Sequence, residues 1–134
     1  MKDDFNRIAG KDIILEDLRQ SCLHKNLSSI DKEPKWWDYM KEVHSECFGF
    51  ISRACSKNAH AKLKLDFAET ERCVDESFLS SNRATANNLI LQENAKQWKE
   101  YGTLYWPSVV INKMTFRGDV TAENIVEDIC ANLK

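Results

Sequence analysis

Five cysteines raise the chemical question in this chain: Cys22, Cys47, Cys55, Cys73 and Cys130. A redox dithiol needs two cysteines at short spacing, one of them held as a low-pKa thiolate. The tightest spacing here is the step from Cys47 to Cys55, so there is no C-x-x-C. Cys22 and Cys130 fall late in segments of helical periodicity, where the helix dipole disfavours a thiolate. A zinc site is equally poorly served. No two cysteines stand at ribbon spacing, and His24, His44 and His60 form no cluster with them. The expectation is a chain with no catalytic residue, no metal and no cofactor.

Cross-linking is the other chemistry open to these thiols. Reduced cysteines of a cytosolic core and disulfides of an oxidised secretory domain both fit the composition. In the oxidised case the odd count leaves one cysteine for a partner outside the chain. On one unbroken helix, Cys47 and Cys55 would stand about 12 Å apart, whereas a disulfide needs Cα atoms within about 7 Å. Their bond therefore requires a helix break, for which Gly49 is the candidate. Cys55 and Cys73 flank a corner at 64–66, and an antiparallel helix pair would set them side by side. Cys55–Cys73 is the preferred bridge on this reading. Asn26-Leu27-Ser28 is an N-glycosylation sequon, expected on a loop.

The elements that would carry these residues follow from apolar spacing. Ile14, Leu15, Leu18 and Cys22 predict a helix over 12–25, with Asp12 as its N-cap. Pro34 suits the first turn of the next helix, whose apolar face reads Trp36, Trp37, Met40, Val43, Cys47 and Phe48. Helices are predicted over about 51–63 and 66–78, then a polar loop at 79–87, then a helix over about 87–100. The period then changes. Ser108–Ile111 and Met114–Phe116 read as strands around an Asn112-Lys113 turn. Thr121 caps a last helix with Ala122, Ile125, Val126, Ile129, Cys130 and Leu133 on one face. The chain is read as a single domain, 1–100 mainly helical and 101–134 a proline loop, β-hairpin and C-terminal helix.

Composition limits the partners. With 134 residues, 19 basic and 21 acidic, the net charge is -2, which makes no electrostatic case for nucleic acid or an anionic membrane. No apolar run nears the ~18 residues of a membrane helix, so no direct membrane contact is expected. The first residues are polar and acidic, unlike a signal peptide. The chain is then either cytosolic or a piece of a longer precursor.

The stretch LYWPSVVINKMTFRG (104–118) resembles the second half of a thioredoxin fold: a proline, a buried strand, a turn, a second strand and a glycine. In that frame the proline is cis, and the residue before it offers its backbone to an extended peptide. Tyr105, Trp106, Pro107 and Ser108 would then form a peptide-binding loop, needing no thiol.

A more specific resemblance covers roughly residues 10–132. GKDIILEDLRQSC (10–22) resembles the G-K-D-V-V-V-E-N-L-R-Q-L-C segment of vacuolar sorting receptors. The Asn26 sequon and Trp36-Trp37-Asp38-Tyr39 are similar to that family's K-V-A-N-E-S and W-W-D-Y motifs. The step from Cys55 to Cys73, with Leu63-x-Leu65-Asp66 inside it, also matches. WPSVVINKMTFRG resembles L-P-T-L-V-I-N-N-x-x-Y-R-G, and Ile129-Cys130-Ala131 resembles the closing I-C-A. The Cys47–Cys55 spacing is shorter than in the family, and VDESFLSSNRATAN replaces its acidic, glycine-bearing loop.

The resemblance implies an α+β, helix-rich, helix-inserted thioredoxin-like half domain from the lumenal side of a type I membrane receptor. In that family more cysteine-rich chain precedes this region, and a protease-associated domain and calcium-binding EGF-like repeats accompany it. The implied role is non-enzymatic: binding protein or peptide cargo, or spacing neighbouring receptor domains, in the lumen of the secretory and endosomal–vacuolar pathway. Two alternatives stand beside it. One is a thiol–disulfide oxidoreductase whose cysteine pair lies outside this chain. The other is a cytosolic thioredoxin-like scaffold with reduced cysteines.

Overall fold

The computed structural model describes residues 9–29, 31–101 and 107–133. The elements run α1 (Gly10–Asn26), α2 (Glu33–Cys47), α3 (Arg53–Lys62), α4 (Phe67–Ser77), α5 (Leu89–Tyr101), β1 (Val110–Ile111), β2 (Met114–Thr115) and α6 (Ala122–Asn132). The chain divides into two compact units, 1–90 and 91–134. The architecture is α+β, with helices dominant and one small antiparallel hairpin.

In the first unit, local chemistry places each break. Pro34 lies in the first turn of α2, where its missing N–H costs nothing. Gly49 takes φ +89°, a conformation open to glycine, and ends the run after Cys47. Ser52 caps α3 by accepting from the Cys55 N–H, and Asp66 caps α4 by accepting from Glu69 N–H. Asp12 is not the N-cap of α1. Ala9 takes that position, and Asp12 sits in the first turn, where a carboxylate suits the dipole.

The core has two parts. Leu23, Leu27, Tyr39, Val43, Cys47 and Ala59 join α1, α2 and α3, with Trp36, Ile51, Leu63 and Leu65 packed around them. Leu18, Cys22 and Val74 join α1 to α4, beside Leu15, Phe78 and Ile90. The expected apolar face of α2 is rotated. Tyr39, Val43 and Cys47, at i, i+4 and i+8, are buried, while Trp37 is 56% and Phe48 74% exposed. Trp36 is half-buried and donates its indole N–H to Gln20 O at 2.9 Å.

Tyr39 goes inward because its hydroxyl has buried partners. It donates to Glu16 Oε1 at 2.8 Å and lies 2.7 Å from Ser56 Oγ. Glu16 also receives Arg19 Nη1 at 3.3 Å. Arg19, only 2% exposed, donates through Nε to Glu71 Oε1 at 2.7 Å. Arg53 reaches the other Glu71 oxygen at 2.7 Å. Burial alone would raise the Glu71 pKa, but the hydrogen bonds from Arg19 and Arg53 outweigh it and hold the carboxyl below its ordinary range. Among the described residues, no buried side-chain nitrogen or oxygen is left without a partner.

His60 extends the polar interior, fully buried between Tyr39 and Phe67. Its Nδ1 stands 2.8 Å from Ser56 O, and a carbonyl only accepts, so Nδ1 carries a proton. Its Nε2 stands 3.1 Å from Thr70 Oγ1, which is also 3.1 Å from Asp66 O. The Thr70 proton serves Nε2 in the neutral ring. Burial pushes the His60 pKa below its ordinary value, against an opposing effect of the Ser56 carbonyl. The unfolded chain therefore protonates His60 first, near pH ~6.5. Its contribution to stability is complete above that pH and is lost as pH falls towards the folded pKa. Urea unfolding should show lower stability at pH 5.5 than at pH 7.5, and His60→Gln should flatten that slope. An identical slope in the variant would assign it to other groups.

Candidate functional site

The five cysteines resolve into two bridges and one free thiol. Cys22 pairs with Cys73 and Cys47 with Cys55, each with Cα atoms 5.9 Å apart. Cys130 is free and exposed on α6. The Cys47–Cys55 bond forms because the chain reverses at Gly49, where Phe50 N–H returns to Cys47 O at 3.0 Å. The preferred Cys55–Cys73 bridge does not form. The face of α4 that meets α3 carries Thr70, bonded to His60, while Cys73 and Val74 turn towards α1. Cys55 is instead claimed by the end of α2.

Both bridges lie among helices of the first unit, and Cys22 is fully buried. They tie α1 to α4 and α2 to α3. Three of the perturbed titratable groups of that unit, Tyr39, His60 and Glu71, are partnered within the same helical packing. Burial raises the Tyr39 pKa, with the Glu16 charge adding to it. Such a satisfied interior acts as structure. The sequence held one hint of it, the i, i+4 placing of Ser56 and His60 on α3. Their partners on α2 and α4 carry no local signal.

Asn26 is exposed as the last residue of α1, one residue short of the loop expected for it. Ser28 of the same sequon is exposed and donates to Lys25 O at 3.1 Å. Among the described residues, no group of three histidines, cysteines or carboxylates is placed to hold a metal ion. None of the helices is long and apolar enough to cross a membrane among those residues.

The second unit presents the proline hairpin. Tyr105 and Trp106 lie outside the described residues. Pro107 and Ser108 are exposed on the approach to β1. Val110 pairs with Thr115 and Ile111 with Met114. Asn112 and Lys113 take φ +48° and +67°, the double left-handed turn that matches strand twist. The Phe116 N–H donates to Val109 O at 2.8 Å and lengthens the ladder. Thr121 caps α6 through the Asn124 N–H. A cleft of about 720 Å³ lies between hairpin and helix, lined by Ile111, Met114, Thr115, Phe116, Arg117, Asp128 and Asn132. The sequence reading had pointed to the proline side of the hairpin and missed this side, because the cleft needs α6 to fold back on β2.

Comparison with known proteins places these features in context. The chain is similar to vacuolar-sorting receptor 7 of Arabidopsis thaliana, 27% identical over 137 residues that cover 97% of this chain and 21% of the relative. It is similar to vacuolar-sorting receptor 1 of Pisum sativum, 26% identical over 141 residues, 99% of this chain and 22% of the relative. It thus spans about a fifth of the length of these curated relatives. No solved structure matches it. The family model described as the vacuolar sorting receptor thioredoxin-like domain matches residues 1–130, through the stapled helices, the hairpin and α6 alike. By that match, the chain belongs to the family of vacuolar sorting receptor thioredoxin-like domains.

Proposed function

We propose that this chain works as a non-enzymatic lumenal domain of a vacuolar-sorting-receptor-like protein, binding protein or peptide cargo or spacing neighbouring receptor domains. The observation that carries the reading is the use of the cysteines. Four are paired between helices, and the fifth, Cys130, has no cysteine left to pair with in this chain. Such bridges form and persist in an oxidising compartment, which supports the lumen of the secretory and endosomal–vacuolar pathway. With no dithiol left to exchange, the reading favours binding over redox turnover.

Three finer readings belong to the same proposal. The 134 residues act together as one thioredoxin-like domain. Tyr105, Trp106, Pro107 and Ser108 form a loop that receives an extended peptide, whose backbone bonds supply affinity and whose pockets supply selectivity. Asn26 carries an N-linked glycan, since its side chain is exposed at the end of α1.

Mass spectrometry of secreted protein under non-reducing conditions tests the compartment. One alkylated cysteine, Cys130, and a glycan at Asn26 are expected. Five alkylated thiols would end the lumenal reading, and a bare Asn26 would end the glycan reading alone. If the bridges are structural, their removal should follow loop size. Chain-entropy arithmetic on separations of 51 and 8 residues gives about 4 kcal/mol for Cys22–Cys73 and about 2.5 kcal/mol for Cys47–Cys55. Urea unfolding of the two double serine variants should preserve that order. For the loop, Trp106→Ala should weaken capture of a cargo peptide at least about tenfold, as loss of an aromatic anchor does. Unchanged affinity with an unchanged fold would remove the loop from the binding site.

A further inference from the structure

The hairpin has a second side, away from the proline. In a two-residue hairpin, pairs alternate between exchanging backbone bonds and turning those groups outward. The Phe116 N–H donates to Val109 O, so Val109 and Phe116 form an inward-bonded pair. Val110 and Thr115, next along the ladder, are then the outward pair. The Thr115 N–H and C=O point away from β1, along the edge of β2 that pairs with no further strand among the described residues, while the Thr115 hydroxyl donates to Tyr101 O at 3.4 Å. That edge borders the cleft against α6.

The cleft has a defined chemistry. Ile111, Met114 and Phe116 alternate onto one face and make an apolar floor, with Met114 72% exposed. Gly118 leaves room for the Phe116 ring, which approaches to 3.2 Å of where a Cβ would stand. Arg117 lines the cleft and makes no ion pair among the described residues. Across from it, Asp128 is half-buried and accepts from Asn132 Nδ2 at 3.2 Å. The cleft therefore offers one unmatched guanidinium on the strand side and one carboxylate on the helix side.

We propose that the β2 edge binds an extended peptide by strand addition, with one acidic side chain of that peptide paired to Arg117. The peptide residue opposite Thr115 exchanges N–H···O bonds with its backbone. An apolar side chain of the peptide covers Met114 and Phe116. Arg117 selects a carboxylate through charge-assisted hydrogen bonds. Asp128 disfavours a second acidic residue on the helix side, so a single carboxylate suits the cleft better than an acidic run. Backbone bonds at a free edge supply affinity, and the alternating side chains supply choice. This site is distinct from the proline loop, which leads into the other strand, and the two readings can fail separately.

The test uses the ¹⁵N-labelled 134-residue chain and two capped pentapeptides, Ac-Val-Thr-Val-Glu-Val-NH2 and its glutamine counterpart. Titration of the glutamate peptide should shift the Thr115 and Arg117 amides and slow hydrogen exchange at Thr115. It should bind at least about fivefold tighter than the glutamine peptide, the range of one charge-assisted hydrogen bond. Arg117→Gln should erase that preference while keeping the wild-type amide spectrum elsewhere. Methylating the central backbone nitrogens of the peptide should abolish binding. Three results would each overturn the proposal: no shift at millimolar peptide, shifts centred on Ser108 and Val109 instead, or equal affinity for the two peptides.

Discussion

One buried guanidinium sets the arrangement of the helical unit. Arg19 of α1 is 2% exposed and sits between Glu16 on its own helix and Glu71 on α4. Removing such charges from water costs several kcal/mol per ion, and the attraction between them repays that only when the geometry is complete. The neighbours complete it. Arg53 of α3 takes the second Glu71 oxygen, and Tyr39 of α2 donates to Glu16. Four helices thus meet at one satisfied network. A shift of α1 against α4 separates the buried Arg19 from Glu71, and a shift of α2 or α3 removes a donor from Glu16 or Glu71, so the network acts as a registry for the packing more than as a source of net stability.

The Cys22–Cys73 disulfide follows from that registry. Once Arg19 and Glu71 face each other, Leu18 and Cys22 of α1 lie against Cys73 and Val74 of α4. The short Cys47–Cys55 bridge belongs to a different constraint, the reversal at Gly49 that brings the end of α2 back onto the start of α3. A free thioredoxin-type dithiol and a stapled helix pair make opposite demands on a cysteine. The first needs an exposed, destabilised thiolate. The second needs burial and a fixed Cα separation, which is what Cys22 and Cys73 have.

The hairpin unit is organised by backbone bonding instead. Its two strands are short, and two strands alone bury little. The left-handed pair Asn112-Lys113 holds the register, and that register decides which backbone groups face outward. Among the described residues the sheet has these two strands alone, and the Val110–Thr115 pair turns its backbone groups outward, on the β2 side next to the α6 cleft.

Much of this was legible from residues alone. Pro34, Gly49 and Thr121 mark element ends through backbone chemistry that acts over four residues, and the six helices and the hairpin stand close to where apolar spacing and those signals put them. The thioredoxin-like class and the receptor family were also readable, because rare residues recur in order along the chain. The sequence by itself therefore determined the order and type of the elements, their ends to within a few residues, and the family. Only the tertiary structure decided that Tyr39 rather than Trp37 is buried, that Cys73 meets Cys22 rather than Cys55, and that Arg117 lines a cleft with α6. The physical reason is range. Caps and periodicity act within a turn or two, whereas the Arg19–Glu71 pair and the Cys22–Cys73 bridge join residues 52 and 51 positions apart. Which faces meet across that distance is settled by burying charge with its partner, and no local pattern encodes it.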